Sequence, residues 1–258
     1  MLTQHSKIAG GLETHWFEID FERWTGRKGE PLDGHLARLA AFYDIEHELV
    51  ESMARNARSG SQFLDKFMAE VARQLGKPRW VEKTPENILR LDTIAAYWTN
   101  AVVVHVVRDP RDLFTSMLET NKLDSVQTFI RYWAPFFQTA QRYVQTPNSE
   151  GLSLIELGYE RLVTDTRVVM KELAAAIGEP FEEAMAGFDG CSEEYHKVLQ
   201  VTGVHSPTLR RMMDPLTTNR IGIWKNALTP QTVKDLGAEA ARCGLSDMYA
   251  RMTSGQGE

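Results

Sequence analysis

The feature that most constrains the fold is an almost continuous β-branched run in the middle of the chain, residues 101–107 (AVVVHVV). Such a run is typical of a strand that is buried on both faces. A second strand of this type is predicted over 152–157, and helical patterns over about 111–121 and 126–144 lie between the two. Strands that alternate with helices indicate an α/β fold with a parallel sheet covered on both faces. Ligands of such sheets bind at the carboxyl ends of the strands.

The chain before this strand is predicted to be mainly helical. Apolar residues recur at helical spacing from about 34 to 75, and Gly60 divides the stretch into two helices. A short apolar segment follows at Trp80-Val81. Thr84-Pro85 then begins a helix that runs to about Trp98, with threonine as N-cap and proline at the first helical position.

The loop after the first strand carries a candidate anion site. Arg108 stands at the carboxyl end of the strand, and Pro110 begins a helix whose N-terminus faces the same space. A guanidinium and a helix N-terminus together suit a phosphate group, and Ser116 on the second turn adds a hydroxyl donor. The alternative is a surface arginine that Asp109 or Asp112 neutralises.

Two further loops carry basic residues. Lys83 stands between a strand end and a helix N-terminus, where an ammonium group can neutralise a bridging oxygen during group transfer. It could equally balance the neighbouring Glu82 and Glu86. The turn from Arg220 to Asn226 contains glycine, tryptophan and Lys225, and it suits closure over an anion or an adenine ring. The alternative there is a solvated loop.

Composition limits the class of protein. The 258 residues show no linker or repeat, so we expect one domain over 1–258. The formal net charge of −6 argues against general binding to nucleic acid or to anionic membrane. No apolar run is long enough to span a bilayer, and no signal peptide opens the chain, so a cytoplasmic location is expected. Cys191 and Cys243 are expected to be buried thiols, and no ligand cluster for a metal is evident.

Four segments, which follow one another along the chain in the family's order, resemble motifs of the sulfotransferases that use 3′-phosphoadenosine 5′-phosphosulfate. The region around Arg108 and Ser116 resembles the family's 3′-phosphate-binding strand, loop and helix. The other three segments are Glu82-Lys83-Thr84-Pro85-Glu86-Asn87, Gly158-Tyr159-Glu160-Arg161-Leu162-Val163 and Arg220-Ile221-Gly222-Ile223-Trp224-Lys225-Asn226. The resemblance implies a P-loop NTPase-like three-layer sandwich with a central parallel sheet.

The resemblance also implies a role for each residue. Arg108 and Ser116 would bind the 3′-phosphate of the donor, and Arg220 and Lys225 would close its site. Lys83 would stabilise charge near the sulfuryl group. Tyr159 would support the site or line the nucleotide pocket. The donor would be a co-substrate, and no metal would be required.

The catalytic base is assigned by a further resemblance. Gly10-Gly11-Leu12-Glu13-Thr14-His15 is similar to the Gly-x-Glu-Thr segment of tyrosylprotein-type enzymes, in which the glutamate deprotonates the acceptor. Glu13 is therefore the preferred base, with His15 and His35 in reserve. We expect burial among aromatic side chains to raise the pKa of Glu13 toward neutrality. The alternative is that Glu13 only forms a cap or an ion pair.

One motif of the family is missing from the sequence. Members begin with a strand and a Gly-x-x-Arg-Ser-Gly-Thr-Thr loop, whereas residues 1–6 are similar to the end of the helix that follows that loop. A start assigned too far downstream, a shortened chain, a degenerate relative or a substitute segment would each explain the difference. Residues 57–61 (ARSGS) have similar letters, but helical sequence precedes them and a helix–helix turn is predicted there.

Several functional alternatives stay open. A P-loop kinase would need a phosphate-loop lysine motif that the sequence lacks, whereas an inactive nucleotide-binding or scaffold relative remains the main rival. The acceptor could be a carbohydrate, a lipid, a peptide or a small molecule, and the oligomeric state is open. Aromatic residues around Trp133 and over 16–24 could line an acceptor cleft, although such stripes more often form core.

Overall fold

The computed structural model describes residues 1–145, 152–190, 192–203 and 210–254, and Cys191 lies outside these ranges. Contacts between Cα atoms divide the chain into two compact units. Unit 1 comprises Met1–Thr93 and Phe181–Pro215, and unit 2 comprises Ile94–Pro180 and Leu216–Glu258. The single domain expected from the sequence stays a prediction.

The described residues form a mixed α/β structure. The strands are β1 (Ile8–Ala9), β2 (Arg79–Trp80), β3 (Ala101–Val107) and β4 (Leu152–Gly158). The α-helices are α1 (Leu32–Tyr43), α2 (His47–Arg55), α3 (Gly60–Gln74), α4 (Leu91–Tyr97), α5 (Pro110–Glu119), α6 (Val126–Gln145), α7 (Tyr159–Thr164), α8 (Thr166–Ala176), α9 (Ser192–Thr202), α10 (Trp224–Ala227), α11 (Pro230–Arg242) and α12 (Ser246–Thr253). No helix in the described ranges is both long enough and apolar enough to cross a membrane.

The core of unit 1 is formed by apolar faces of its helices. In α3 the side chains of Phe63 and Phe67 are fully buried and stack with ring centroids 5.6 Å apart. The Ser59 hydroxyl caps this helix by accepting the backbone N–H of Gln62 at 3.2 Å. Because α2 ends just before this cap, residues 57–61 form the predicted helix–helix turn and not a phosphate loop after a strand.

In unit 1, β1 and β2 form a parallel pair that sets the position of two loops. Ile8 lies opposite Arg79 and Ala9 opposite Trp80, and the N–H of Val81 donates to the carbonyl of Ala9 at 2.8 Å. Because parallel strands end at the same edge, the segment after β1 lies beside the segment after β2.

In unit 2, β3 and β4 are paired in parallel over seven residues, from Ala101 opposite Leu152 to Val107 opposite Gly158. The aromatic stripe of α6 lies in the core of this unit, where Phe129 and Trp133 are buried and their rings stack. This part of the aromatic sequence is therefore packing and not an exposed cleft. The observed α6 extends one residue beyond the predicted helix.

Two details of the sheet differ from the sequence expectation. Among the described residues, the strands form two separate two-stranded parallel sheets, β1 with β2 and β3 with β4. The expectation that β3 is buried on both faces is wrong, since Val106 is 51% exposed and Val102 to Val104 are half-buried. Val106 projects to the opposite face from His105 and Val107, which are buried, so one face of the strand is better covered than the other. Cys243 is a half-buried free thiol, not a fully buried one.

Candidate active site

The segment after β1 approaches the segment after β2 through two glycines. A Cβ on Gly10 would lie 2.8 Å from the carbonyl oxygen of Val81, and a Cβ on Gly11 would lie 2.7 Å from the ring of Tyr43. The Tyr43 hydroxyl also donates to the carbonyl of Leu12 at 2.8 Å. The glycines therefore allow the chain to carry Glu13 close to the Lys83 segment.

Glu13 and Lys83 form an ion pair in unit 1. The Glu13 side chain is 31% exposed and that of Lys83 is 69% exposed, so the pair lies at the surface of the unit. Partial burial raises the pKa of Glu13, but the hydrogen bond with His15 and the charge of Lys83 outweigh it and lower the pKa to about 2. The expectation that burial would bring this pKa toward neutrality is therefore wrong.

Glu82 connects the two segments. Its Oε1 accepts the backbone N–H and the hydroxyl of Thr14, both at 2.9 Å, and the hydroxyl of Thr84 at 2.6 Å. Its Oε2 accepts the side-chain amide of Asn87, whose own oxygen accepts the indole N–H of Trp16 at 3.0 Å. Thr84 precedes the helix as predicted, but its side chain does not cap it, because the hydroxyl donates to Glu82. The predicted helix begins as a 3-10 helix over Pro85–Arg90, and α4 follows.

Sequence reasoning missed the positioning role of Glu82. It treated this residue only as a charge that Lys83 might balance, although its place just after β2 and directly before Lys83 was the available signal.

The two histidines have different surroundings. His15 Nε2 lies 3.4 Å from Glu13 Oε2, and its Nδ1 lies 3.4 Å from Glu18 Oε1. His35 is 2% exposed, and its Nδ1 accepts the N–H of Arg27 at 3.2 Å while its Nε2 donates to the carbonyl of Thr14 at 2.8 Å. Burial lowers the pKa of His35. Both its ring nitrogens are engaged by backbone, so His35 supports the segment that carries Glu13.

In unit 2, the strand register brings Arg108 beside Tyr159. Val107 lies opposite Gly158 at the ends of the two strands, so the residues that follow them, Arg108 and Tyr159, lie at the same edge of the sheet. The Arg108 guanidinium lies 4.7 Å from the centre of the Tyr159 ring, and its Nη2 donates to the carbonyl of Arg220 at 2.6 Å. Burial lowers the pKa of Arg108. Its Nε is buried and has no hydrogen-bond partner in the described part of the chain.

The turn before α5 is organised by Asp109. Its carboxylate accepts the N–H of Arg111 at 2.8 Å and pairs with the Arg111 guanidinium at 2.6 Å, and Pro110 occupies the first helical position. The Asp109 N–H donates to Glu160 at 2.8 Å. Asp109 therefore caps α5 and binds Arg111, so the alternative that it pairs with Arg108 is wrong.

Asp112 was singled out in the sequence only as another possible partner of Arg108. It is 1% exposed, and its carboxylate accepts the N–H of Gly222 at 2.7 Å and the N–H of Trp224 at 3.0 Å. The signal for this role was limited, because an acidic residue in the first turn of a helix is common for dipole reasons alone.

The remaining predicted residues lie around the same helix and loop. The Arg220 guanidinium pairs with Glu119 at 2.6 Å, Lys225 is exposed in α10, and Ser116 is half-buried in α5. Unit 1 therefore brings Glu13 together with Lys83, and unit 2 brings Arg108 together with Tyr159 and the Arg220 backbone. Among the described residues, no group of three or more His, Cys, Asp or Glu side chains is arranged to hold a metal ion.

The fold resembles that of two solved sulfotransferase domains. One, from the olefin synthase of Synechococcus PCC 7002, aligns with a TM-score of 0.68 and 18% identity over 96% of this chain and 87% of that chain. The other, from the curacin biosynthetic pathway, aligns with a TM-score of 0.64 and 16% identity over 94% of this chain and 90% of that one. These likenesses place the fold in the P-loop-like α/β class predicted from the sequence.

Comparison of the sequence with known proteins identifies a family, but it finds no individual relative among curated proteins. No curated protein sequence matches the chain significantly. The sequence model described as "Sulfotransferase family" matches residues 1–183, which is more than half of the chain. The chain therefore belongs to the sulfotransferase family.

Proposed function

We propose that this protein transfers a sulfuryl group from 3′-phosphoadenosine 5′-phosphosulfate to an acceptor hydroxyl or amine. The observation that carries the proposal, beside the family membership, is the pairing of Glu13 with Lys83. A carboxylate that can take a proton and an ammonium group that can stabilise a leaving oxygen are the two groups that such a transfer needs.

In the proposed reaction, the acceptor oxygen or nitrogen attacks sulfur in line with the bond to the donor's bridging oxygen. A new bond to sulfur forms, the bond to the bridging oxygen breaks, and its electron pair stays on that oxygen. The acceptor's proton passes to Glu13. The products are the sulfated acceptor and adenosine 3′,5′-bisphosphate, whose developing charge Lys83 stabilises.

The low pKa of Glu13 links the two roles. At a pKa of about 2, held there by His15 and Lys83, the carboxylate is a weak base. When Lys83 turns to the bridging oxygen of the donor, Glu13 loses a positive neighbour and its basicity rises. Glu13 thus becomes a better base as the donor binds.

The nucleotide would bind to the group in unit 2. Arg108, whose buried Nε has no partner in the described residues, and the N-terminus of α5 would hold the 3′-phosphate together with Ser116. Arg220 and Lys225 would close over the nucleotide, and Tyr159 supports Arg108 through its ring. The acceptor is left open among carbohydrate, lipid, peptide and small-molecule hydroxyls or amines.

The first test is calorimetric titration of the protein with adenosine 3′,5′-bisphosphate. We expect binding by the wild type and a loss of at least about tenfold in affinity for Arg108→Ala, because a charge-assisted contact to phosphate is removed. Arg131→Ala, at an exposed position of α6, is the control and should bind like the wild type. Equal affinity of the wild type and Arg108→Ala would contradict the assigned site.

The second test concerns transfer itself. With donor labelled at sulfur with ³⁵S and a panel of phenols, sugars and amines, Glu13→Gln is expected to lower kcat by about 10²–10⁴-fold, because the proton acceptor is lost. The affinity for the bisphosphate should stay unchanged, and Glu22→Gln, at an exposed position, should transfer normally. Nucleotide binding with no transfer to any acceptor would favour the inactive nucleotide-binding relative.

A further inference from the structure

Three backbone groups of the 220–226 loop are bound by side chains from the segment that ends β3 and begins α5, residues 108–112. Arg108 donates to the carbonyl of Arg220 at 2.6 Å, and Asp112 accepts the N–H groups of Gly222 and Trp224. The guanidinium of Arg111 lies 4.0 Å from the centre of the Trp224 ring. Arg220, Gly222 and Trp224 of the loop are thus held by side chains from one short segment.

The backbone of the loop is shaped to receive a carboxylate. Gly222 has φ +73°, which is the left-handed region, and Ile223 has φ −60° and ψ −28°, which is right-handed. This alternation turns the N–H groups on either side toward one concave space, an arrangement that binds anions. Asp112 occupies it, with oxygens 2.7 Å from the Gly222 nitrogen and 3.0 Å from the Trp224 nitrogen.

Burial makes these two bonds important for the loop. Asp112 is 1% exposed, and a buried carboxylate is tolerated only when hydrogen bonds or charges replace its hydration. Its place in the first turn of α5 adds the favourable helix dipole, and the loop N–H groups supply the direct partners. The two bonds therefore fix the conformation of the loop, and the N–H groups of Gly222 and Trp224 stabilise the buried carboxylate of Asp112.

We propose that Asp112 is a positioning residue, which holds the 220–226 loop in the conformation that presents Arg220 and Lys225 to the nucleotide. This inference rests on the proposed function. Asp112 contacts no substrate in the proposed arrangement and acts only through the loop backbone. A loop that is already ordered loses less entropy when the nucleotide binds, so releasing it should weaken binding without removing any nucleotide contact.

The test compares Asp112→Asn with the wild type by two measurements. The amide of asparagine keeps one acceptor oxygen but places an NH₂ group against a loop N–H, so one of the two bonds is lost. In protein labelled with 5-fluorotryptophan, we expect the ¹⁹F resonance of Trp224, assigned with Trp224→Phe, to shift while the other tryptophan resonances stay in place. General damage to the fold would shift several resonances together.

The second measurement is calorimetry with adenosine 3′,5′-bisphosphate. We expect Asp112→Asn to raise Kd about tenfold, as the loss of one hydrogen bond to a charged group would. Asp247→Asn, an exposed aspartate of the same unit, is the matched control and should leave both the Trp224 resonance and Kd unchanged.

The outcomes separate this inference from the proposed function. Absence of binding by the folded wild type overturns the proposed function and the nucleotide role of Asp112 with it. Wild-type binding with an unchanged Kd in Asp112→Asn overturns the role of Asp112 alone.

Amide hydrogen exchange on the wild type covers the case in which the variant does not fold. The Gly222 and Trp224 amides should exchange more slowly than those of an unstructured peptide of the same sequence, and exchange at the rate of that peptide would overturn the attachment.

Discussion

Glu13 is subject to two opposing influences on its protonation. Partial burial disfavours the carboxylate, whereas the hydrogen bond with His15 and the charge of Lys83 favour it, and the latter prevail. The folded-state pKa of about 2 lies below the ordinary value of 4.5. The unfolded chain therefore binds this proton more readily than the folded one. The resulting stabilisation is complete above about pH 4.5 and is lost as the pH falls through about 2.

This linkage predicts a difference in acid stability at the residue scale. Urea unfolding of the wild type and of Glu13→Gln should show that the wild type's advantage shrinks as the pH falls from about 4.5 toward about 2, because glutamine does not titrate. The unfolding free energy of Glu22→Gln, measured over the same pH range, shows how much of the change comes from the loss of any exposed carboxylate. Unfolding free energies that differ by the same amount at every pH would contradict the pairing of Glu13.

At the element scale, two helical glycines illustrate how packing decides the effect of one methyl group. Gly60 begins α3, and a Cβ there would lie 2.3 Å from the backbone oxygen of Trp16. Gly34 lies in α1 and has nothing within 4 Å of a built Cβ. The first glycine permits α3 to approach the segment that follows Glu13, whereas the second only weakens its helix.

These surroundings predict opposite effects of the same substitution. Gly60→Ala should lower the free energy of unfolding by about 1–3 kcal/mol, because backbone atoms must move to relieve the overlap. Gly34→Ala should raise it by about 0.5–1 kcal/mol, because alanine loses less conformational entropy in a helix. Chemical denaturation of both variants measures this, and a stabilised Gly60→Ala would show that α3 does not pack against Trp16 as described.

The scale of elements is also where sequence reasoning was most successful. The β-branched run over 101–107 predicted the bounds of β3 correctly, and the turn over 57–61 was placed correctly between α2 and α3. The single helix predicted before that turn is wrong: the stretch forms two helices, α1 and α2, because α1 ends before Asp44, which has a left-handed conformation with φ +53°. Local periodicity and capping decide such features, and both can be read within a few residues. The partial exposure of β3 could not be read in this way, because it depends on which distant segments cover the strand.

At the scale of the whole molecule, the formal net charge of −6 contrasts with the anionic donor that we propose. Attraction must then come from single basic groups, such as Arg108, whose partial burial reduces solvent screening, and not from a broad positive surface.

The motifs around Arg108 and Lys83 could be found from the sequence because each is local. The bonds of Glu82 to Thr14 and of Asp112 to the backbone of Gly222 and Trp224 could not, because they join residues 68 to 112 positions apart.

The hydrogen bonds of Glu82 have a consequence for the order of events during synthesis. Thr14 and its acceptor are 68 residues apart, so at about 5–20 residues per second the segment that carries Glu13 leaves the ribosome several seconds before Glu82 does. Until Glu82 and Lys83 are synthesised, the donors of Thr14 bond to water and Glu13 cannot pair with Lys83. The pairing of these two segments is therefore a late product of folding, and translation speed across residues 14–82 sets how long the first segment waits for its partner.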